Sequence, residues 1–343
     1  MKKDLNPYFI AEIGVNHEGN IKRAYEMIDT AAEAGADCVK FQMYKAEELA
    51  IKNSPAYWDT NKEKTTSQHS LFSKYDCFTF ENYKELSLYS KKKKVDFMVT
   101  PFSVEGVYLA SEISDVIKIA SADITNVPLL RAVSDIGKPA IISTGASSYE
   151  EIEFAIKELE SKNKIEISIL HCVLNYPTDP KDAYLERIEI LKKKFPDYKI
   201  GYSDHVPPHK SKLTLPLAIF YGAEVIEKHY TFDKSLPGND HYHAFDNIDL
   251  EFFKAQLNEL ISLSGYDIDE NQYLANQKPA ITNARRSIVA ASNLQKNHIL
   301  TEIDLVTKRP GNGIPSTKWD DIIGKKLIRD VREDDQLSYE DFN

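Results

Sequence analysis

The chain has 343 residues, of which 42% are hydrophobic, and its 43 Lys and Arg residues against 53 Asp and Glu residues give a net charge of −10. The hydrophobic fraction supports a full core and excludes global disorder, whereas the acidic balance argues against nucleic acids and anionic membranes as general partners. No apolar run approaches the ~18 residues of a membrane span. Glu12 interrupts the stretch where a signal peptide would be apolar, and three cysteines are too few for a disulfide framework. These features predict a cytoplasmic protein that binds neither nucleic acid nor membrane.

Short apolar runs rich in strand-forming residues alternate with longer segments of helical period along most of the chain. The runs lie near residues 8–13, 37–42, 95–100, 115–120, 139–144, 166–172, 198–203 and 224–230. Strands that are apolar along their whole length and separated by helices are typical of a parallel sheet covered by helices. The number of these units favours a closed (β/α)8 TIM barrel over an open sheet.

Three segments depart from this alternation. Residues 45–80 form a long, polar connection between the second and third strands, and we expect a long loop over one end of the barrel. Residues 266–283 are polar and irregular, which is typical of a linker. The last segment has short strand signals with glycine and proline punctuation, which predict a small β-rich domain. We therefore expect a barrel domain at 1–265, a linker at 266–283 and a second domain at 284–343.

Polar side chains interrupt the apolar strands near their carboxyl ends. Lys40 and Lys118 each lie between two apolar residues, and a charge buried in a strand needs a partner. One such lysine fits a structural ion pair equally well, but two on different strands favour a shared anionic ligand such as a phosphate or carboxylate. Similar positions on the other strands hold polar residues, namely Glu12, Gln42, Thr100, Ser121, Ser143, Tyr176, Ser203, His205, Glu227 and His229. All eight strands would then direct polar groups to one mouth, where barrel enzymes have their active sites.

Two histidines suggest a metal site. His205 and His229 occupy matching positions at the ends of the last two strands, so their imidazoles could meet at a divalent metal. A histidine in a strand is otherwise most often an ordinary core residue, and the two interpretations have about equal weight here. Two histidines without cysteine suit Mn²⁺, Mg²⁺ or a catalytic Zn²⁺ better than a structural zinc.

Further polar residues lie in loops beyond the strands. His241 and His243 follow the last strand, and we interpret both as part of an exposed turn. Asn16 and His17 follow the first strand, and the sequence assigns them no role.

Short motifs stand in order at these strand ends. They are AEIGVNH at 11–17, VKFQ at 39–42, TPF at 100–102, KIAS at 118–121, STG at 143–145, YPT at 176–178, SDH at 203–205 and EKH at 227–229. Together they resemble the sialic acid synthase family, whose members condense phosphoenolpyruvate with an N-acylated amino sugar to give a nonulosonic acid. The motifs KRPGNGI at 308–314 and GKK at 324–326 look like the family's antifreeze-like (SAF) domain, a small β-clip module. The resemblance spans nearly the whole chain and implies a transferase that forms a C–C bond.

The resemblance also implies roles for individual residues. Phosphoenolpyruvate would be bound by Lys40, Thr100, Lys118, Ser121, Ser143 and Ser203. The catalytic groups would be Glu12, Glu227 and Lys118, and the sugar would contact Gln42, Tyr176 and Asp240. The ligands of a divalent metal, Mn²⁺ first and Mg²⁺ or Co²⁺ as alternatives, would be His205 and His229. Because the family resembles domain-swapped homodimers, Arg309 would reach the acyl group of the sugar from a partner subunit.

One residue departs from the family pattern and leaves the substrate open. Members that use N-acetylmannosamine often have Asn two residues before the Tyr of the sixth-strand motif, where this chain has Leu174. Asn175 would face the other way if the strand continued. The departure suggests a less polar sugar, such as a 6-deoxy-diacetamido hexose of the legionaminic or pseudaminic type, although N-acetylmannosamine is slightly preferred as the family default.

Two other functions compete with this expectation. The first is a related barrel enzyme that joins phosphoenolpyruvate to a phosphorylated aldose, and the C-terminal domain argues against it. The second is a catalytically inactive sugar-binding barrel. That hypothesis requires some of the metal or lysine positions to be lost, and none is.

Overall fold

The computed structural model describes residues 5–238, 240–264 and 269–342. The chain divides into two compact units, Met1–Ser264 and Gly265–Asn343. The first unit is a closed barrel in which each of eight strands pairs in parallel with its neighbours, and the first strand pairs with the last. The strands are β1 (Tyr8–Gly14), β2 (Cys38–Met43), β3 (Asp96–Pro101), β4 (Ile117–Ile119), β5 (Ala140–Ser143), β6 (Ile167–Cys172), β7 (Lys199–Asp204) and β8 (Val225–His229). The predicted barrel is confirmed, and every strand begins and ends within two residues of its expected position.

Helices cover the outside of the barrel. They are α1 (Ile21–Glu33), α2 (Ala46–Leu49), α3 (Gln68–Tyr75), α4 (Phe80–Lys92), α5 (Val104–Ile113), α6 (Val127–Ile136), α7 (Tyr149–Leu159), α8 (Glu186–Lys194), α9 (Thr214–Phe220) and α10 (Asn247–Ser264). Local sequence sets several ends: Asn20 accepts hydrogen bonds from the first turn of α1, and Ser148 forms a capping box with Glu151 of α7. In the part of the chain that the structure describes, no helix has the length and apolar character needed to cross a membrane.

The barrel interior changes from apolar to polar along the strands. One inner layer is apolar and consists of Ile10, Cys38, Met98, Ile141, Leu170 and Val225. Gly201 lies at this level, where a Cβ atom would come within 2.4 Å of the Leu170 side chain and of the Val225 carbonyl oxygen. Since side chains two residues apart share a face of a strand, the next inner layer on five of these strands holds Glu12, Lys40, Thr100, Ser143 and Glu227. The apolar core therefore ends, and a polar site begins, within one step along the strands.

The long connection at 45–80 is more ordered than the expected loop. It contains the short helices α2 and α3. Trp58 is buried and donates its indole N–H to the Glu63 carbonyl oxygen at 3.1 Å. The carboxylate of Glu63 is itself buried and accepts a hydrogen bond of 2.7 Å from Lys74 at the end of α3. These contacts hold the segment in one conformation despite its polar sequence.

The second unit contains the expected small β-rich fold. Of the predicted linker, residues 266–268 lie outside the described residues, and the rest holds two short helices, α11 (Glu270–Ala275) and α12 (Lys278–Ala284), instead of irregular chain. Strands β9 (Ser287–Ala290) and β10 (Leu305–Lys308) pair in antiparallel fashion and are followed by α13 (Trp319–Ile322). The unit has its own core, which includes Ile288, Leu300, Leu305, Ile322, Leu327 and Leu337.

Candidate active site

A cavity of about 440 Å³ lies at the carboxyl ends of the barrel strands. All the barrel residues that the sequence proposed for the site line it, and these are Glu12, Lys40, Gln42, Thr100, Lys118, Ser121, Ser143, Tyr176, Ser203, His205, Glu227, His229 and Asp240. Arg309 is exposed on the second unit. The convergence of the strand ends on one pocket therefore agrees with the sequence analysis, while the reach of Arg309 to a partner subunit stays a prediction.

Two lysines and two glutamates form the floor of the cavity. The ammonium group of Lys40 lies 2.5 Å from Glu12 Oε2 and 3.6 Å from Glu227 Oε2, and it donates a hydrogen bond of 2.9 Å to the Thr100 hydroxyl. Lys118 donates to the Ser143 hydroxyl at 2.7 Å and lies 3.7 Å from Glu227 Oε1. All of these side chains are buried. Two fixed ammonium groups with adjacent hydroxyls are suited to a compact, multiply charged anion.

The surroundings separate the pKa values of the two carboxyls. Burial raises the pKa of Glu12, and the nearby ammonium of Lys40 only partly opposes this effect. Burial would also raise the pKa of Glu227, but the charges of Lys118 and Lys40 outweigh it and hold this pKa below its usual value. Glu227 is therefore suited to stay ionised, whereas Glu12 accepts a proton more readily.

Serine hydroxyls extend the polar floor on either side. Ser203 donates a hydrogen bond of 2.8 Å to Glu227 Oε1. The Ser121 hydroxyl accepts one of 2.9 Å from the backbone N–H of Gly145. A Cβ atom at Gly145 would lie 2.9 Å from that hydroxyl and 3.0 Å from the Leu174 side chain, so this position requires glycine. The Ser-Thr-Gly motif after β5 therefore brings backbone close to the pocket.

The loop after β8 corrects one sequence prediction. We expected an exposed turn at His241 and His243, but both side chains are buried, His243 completely. The reason is a backbone hydrogen bond of 2.7 Å from Phe245 to the carbonyl oxygen of His229, which returns the loop to the end of the strand. His241 lines the cavity and bonds through Nδ1 to the Thr231 hydroxyl at 2.8 Å.

Three imidazoles lie close together here: His205 and His229 line the cavity, and His243 is buried beside them. The ring of His243 lies 4.8 Å from that of His229 and 5.8 Å from that of His205, and the latter two rings are 5.4 Å apart. Burial lowers the pKa of all three, that of His205 to about 4. The rings are therefore neutral at ordinary pH and can offer lone pairs.

The donor atoms of this cluster fit a divalent metal ion. His205 uses Nδ1 on the Val173 carbonyl oxygen at 2.8 Å, which leaves Nε2 as its free donor atom. Nδ1 of His229 and both ring nitrogens of His243 are buried without a hydrogen-bond partner among the described residues. One donor atom from each of His229, Asp240 and His243 lies within 4.8 Å of the other two. Neutral imidazoles with a carboxylate are a common ligand set for Mn²⁺, Co²⁺ and Zn²⁺.

The remaining sugar-side predictions also lie at the cavity. Gln42 donates a hydrogen bond of 2.9 Å to Glu12 Oε1, and the Tyr176 ring stacks at 4.2 Å from that of His205. Leu174 lines the cavity, whereas Asn175 is exposed and does not line it. Because β6 ends at Cys172, strand alternation does not extend to these two residues. An apolar side chain therefore occupies the position where the family pattern has an amide.

The sequence analysis missed the aromatic wall of the cavity. Its apolar lining comes largely from the 45–80 segment and the ends of two strands, and comprises Tyr44, Tyr57, Trp58, Leu71, Phe72, Tyr75 and Phe102. Leu71, Phe72 and Tyr75 lie on the short helix α3 and the others lie outside helices and strands, so no long periodic pattern placed them. The density of aromatic residues in an otherwise polar connection was the available signal.

The structure shows the positions of Asn16 and His17, to which the sequence assigned no role. Asn16 lines the cavity and donates hydrogen bonds to the carbonyl oxygens of Tyr230 and Asp240, at 3.0 and 3.2 Å. It therefore ties the loop after β1 to the loop after β8. His17 is buried against the ring of Phe78 at a centroid distance of 4.2 Å, outside the cavity lining.

Comparison with known proteins agrees with this geometry. Residues 27–269 match the NeuB family, and residues 285–343 match the SAF domain. The chain is 34% identical to the N,N'-diacetyllegionaminic acid synthase of Campylobacter jejuni, across 98% of this chain and 99% of the relative. It is 33% identical to the enzyme of the same name from Legionella pneumophila, across 97% and 94%.

A solved structure extends the similarity to three dimensions. The N-acetylneuraminic acid (sialic acid) synthetase of Leptospira borgpetersenii, crystallised with citrate, is 36% identical and superposes with a TM-score of 0.70, over 81% of this chain and 91% of that one. The similarity in fold and the motifs that line the cavity of this protein agree with the family match. The chain belongs to the NeuB family and carries a SAF domain at its C-terminal end.

Proposed function

We propose that the protein condenses phosphoenolpyruvate with an N-acyl amino sugar to form a nonulosonic acid, and releases phosphate by cleavage of the C–O bond. The observation that carries the proposal is the placement of two buried lysines and the two neutral imidazoles of His205 and His229 in one cavity. The names of the relatives, which are synthases of diacetyllegionaminic and N-acetylneuraminic acids, support it. So does the citrate of the Leptospira enzyme, since citrate is also a small polyanion.

Lys40 and Lys118 bind the phosphate and carboxylate of phosphoenolpyruvate in this proposal. Thr100, Ser143 and their neighbouring hydroxyls Ser121 and Ser203 complete the anion site. The lysines are held at fixed positions by the hydroxyls that they already contact. Positive charge that is preorganised in a buried site stabilises the developing charge of a transition state more strongly than it would in water.

His205 and His229 hold a divalent metal, Mn²⁺ first with Mg²⁺ or Co²⁺ as alternatives. When bound, such an ion supplies a Lewis acid that polarises the aldehyde of the open-chain sugar. Tyr176, Gln42 and Asp240 position the sugar beside these imidazoles. The shared cavity thereby converts a reaction between two molecules into one between bound neighbours.

The proposed reaction forms a C–C bond, adds water and breaks a C–O bond, and it requires a group that transfers a proton. C3 of phosphoenolpyruvate attacks the aldehyde carbon, C2 becomes electron-deficient, and water adds there. The water gives up a proton, the aldehyde oxygen gains one, and C2 then carries a hydroxyl and the phosphate. Cleavage of the C2–O bond releases phosphate, and the hydroxyl becomes the C2 carbonyl as its proton passes to the departing phosphate. Glu12 is our first candidate to move the proton from the water to the aldehyde oxygen, because its raised pKa suits a carboxyl that is protonated and deprotonated in turn. Glu227 stays ionised and orients Ser203.

The nature of the sugar follows from the cavity wall. Leu174 lines the cavity at the position of the family's amide, and aromatic residues cover the same pocket. A 2,4-diacetamido-2,4,6-trideoxy hexose presents a methyl group where N-acetylmannosamine presents a hydroxyl, so it suits an apolar wall better. Two relatives are named as diacetyllegionaminic acid synthases. We therefore place the diacetamido sugar first and N-acetylmannosamine second.

Phosphate release from phosphoenolpyruvate with Mn²⁺ tests the proposal. The diacetamido sugar, N-acetylmannosamine and a phosphorylated aldose are supplied in turn, and we expect release with the first, less with the second and none with the third. Phosphoenolpyruvate labelled with ¹⁸O in the bridging position should transfer the label to phosphate. Release with none of the sugars would leave a sugar-binding barrel, and release with the aldose alone would assign the related phosphate-sugar reaction.

A further inference from the structure

The His243 side chain is fully buried in the loop after β8. Its side chain has no exposure, and neither ring nitrogen has a hydrogen-bond partner among the described residues. A neutral imidazole carries one N–H donor and one lone pair, and burying both without partners is strongly unfavourable. Such a side chain points to a ligand that the protein groups alone do not supply.

The loop does not need the His243 side chain to keep its conformation. The neighbouring Tyr242 hydroxyl donates a hydrogen bond of 2.7 Å to the Tyr176 carbonyl oxygen, and the Phe245 N–H donates to the His229 carbonyl oxygen. Asn16 holds the Asp240 carbonyl oxygen on the other side. The backbone is therefore fixed on both sides of His243, and its imidazole is held 4.8 Å from the His229 ring by contacts that do not involve it.

We propose that His243 is an additional ligand of the divalent metal that the proposed function assigns to His205 and His229, and that the Asp240 carboxylate approaches the same ion. The inference deepens the proposed function, because it concerns the metal that the function requires. The family resemblance assigns the metal to two histidines and gives no role to His243. The donor atoms of His229, Asp240 and His243 lie within 4.8 Å of one another. Three donors that bind one ion at ~2.1 Å lie ~3.4–3.6 Å from one another, so the side chains must approach one another by about 1 Å to close on a metal.

This ligand set has a consequence for metal preference. Each additional imidazole favours the later first-row metals over Mg²⁺, which prefers oxygen ligands and keeps its waters. We therefore expect the protein to bind Mn²⁺, Co²⁺ and Zn²⁺ in order of increasing affinity, and Mg²⁺ most weakly.

Direct metal binding by the full chain tests the inference without relying on turnover. We would measure Mn²⁺ affinity by titration calorimetry and the visible absorption of bound Co²⁺ for the wild type, His243→Gln and His241→Gln. Glutamine keeps the volume of the ring, and thermal unfolding verifies that each variant folds. His241 is the matched control because it lies in the same loop and its Nδ1 bonds to the Thr231 hydroxyl.

We expect His243→Gln to weaken Mn²⁺ binding at least about tenfold and to alter the Co²⁺ spectrum, whereas His241→Gln leaves both nearly unchanged. Unchanged Mn²⁺ affinity and Co²⁺ spectrum in a folded His243→Gln variant would mean that only water satisfies His243, and the inference would fail. If the wild type then still released phosphate in a Mn²⁺-dependent reaction, the proposed function would stand without it. Phosphate release that does not depend on any metal would instead contradict the metal role in the proposed function.

Discussion

The two buried lysines differ in what they already bind. Lys40 lies against the Glu12 carboxylate, and although burial lowers its pKa, the charges of Glu12 and Glu227 outweigh burial and raise it. Lys118 has its nearest carboxylate oxygen at 3.7 Å, and burial lowers its pKa. The charge of Lys118 is therefore the less compensated of the two, and this lysine gains most when an anion enters the cavity.

Removing that charge should impair the use of phosphoenolpyruvate. Lys118→Met keeps most of the side-chain volume, and we expect kcat/KM for phosphoenolpyruvate to fall by about 10²–10³, as for other losses of a preorganised charged donor. Steady-state phosphate release measures the effect. Lys157→Met, at an exposed position on α7, is the matched control and should behave as the wild type. A Lys118→Met variant with wild-type kcat/KM would remove this lysine from the anion site.

At the scale of elements, the 45–80 segment supplies one wall of the cavity. Trp58 and Tyr57 line the pocket, and the indole N–H of Trp58 closes a turn onto the Glu63 carbonyl oxygen. A hydrogen bond from Lys74 to the Glu63 carboxylate also stabilises this turn. The position of the wall therefore depends on a small set of polar contacts outside the barrel core.

Loosening this wall should affect the sugar more than phosphoenolpyruvate. Trp58→Phe keeps an aromatic ring but loses the hydrogen bond, and we expect KM for the sugar to rise about tenfold with little change in KM for phosphoenolpyruvate. Initial-rate kinetics with each substrate varied in turn separate the two constants. Ile51→Ala changes the same segment at a side chain that is 79% exposed, and should alter neither. Equal effects of Trp58→Phe on both constants would contradict a specific role in sugar binding.

The elements also show how far the sequence could predict this protein. Strands and helices of the barrel were predictable because their apolar residues recur with a regular period. The polar floor of the cavity was predictable because Lys40 and Lys118 interrupt apolar strands. The burial of His243 depends on a tertiary contact, the backbone hydrogen bond from Phe245 to His229. Such a contact produces no periodic pattern in the sequence. The same holds for Trp58, whose place is set by a single turn inside a polar connection.

At the scale of the whole molecule, buried neutral histidines should make stability depend on pH. Burial lowers the pKa of His17 and of His171 to about 4. An unfolded histidine titrates near 6.5, so between about pH 6.5 and 4 the unfolded chain binds more protons than the folded one. The free energy of unfolding therefore rises with pH across this window, and each such histidine costs up to about 3 kcal/mol at pH 4.

The His171→Gln variant tests this pH dependence. Glutamine can still donate to the Ala183 carbonyl oxygen that His171 contacts at 2.8 Å, but it does not titrate. We expect a shallower fall in the free energy of unfolding from pH 6.5 to 4, measured by urea titration with a chelator present. His209→Gln, at an exposed position, is the control. A slope equal to that of the wild type would show that His171 does not titrate on unfolding as proposed.

The expected domain-swapped dimer can be tested by complementation. We expect Lys118→Met and Arg309→Ala each to be nearly inactive alone. If Arg309 acts on the barrel of a partner subunit, a mixed dimer contains one site with an intact barrel and an intact Arg309. Coexpression of the two chains should then restore phosphate release. A purified mixed dimer without recovered activity, or a protein that is monomeric in solution, would contradict the shared site.

The four charged groups on the cavity floor also have a consequence for the heat of substrate binding. Lys40 and Lys118 face Glu12 and Glu227, so the empty floor is close to neutral overall. A ligand that brings about three negative charges into this cluster disfavours the ionised form of Glu12, whose pKa burial has already raised. Binding of phosphoenolpyruvate should therefore take up about one proton from solution.

Calorimetry can count that proton. The observed binding enthalpy should vary linearly with the ionisation enthalpy of the buffer, and Glu12→Gln should abolish this dependence. A binding enthalpy that is the same in all buffers would mean that Glu12 stays ionised beside the bound substrate. Glu12 is also our candidate for proton transfer. Proton uptake on binding of phosphoenolpyruvate would therefore leave Glu12 protonated before the aldehyde oxygen needs a proton.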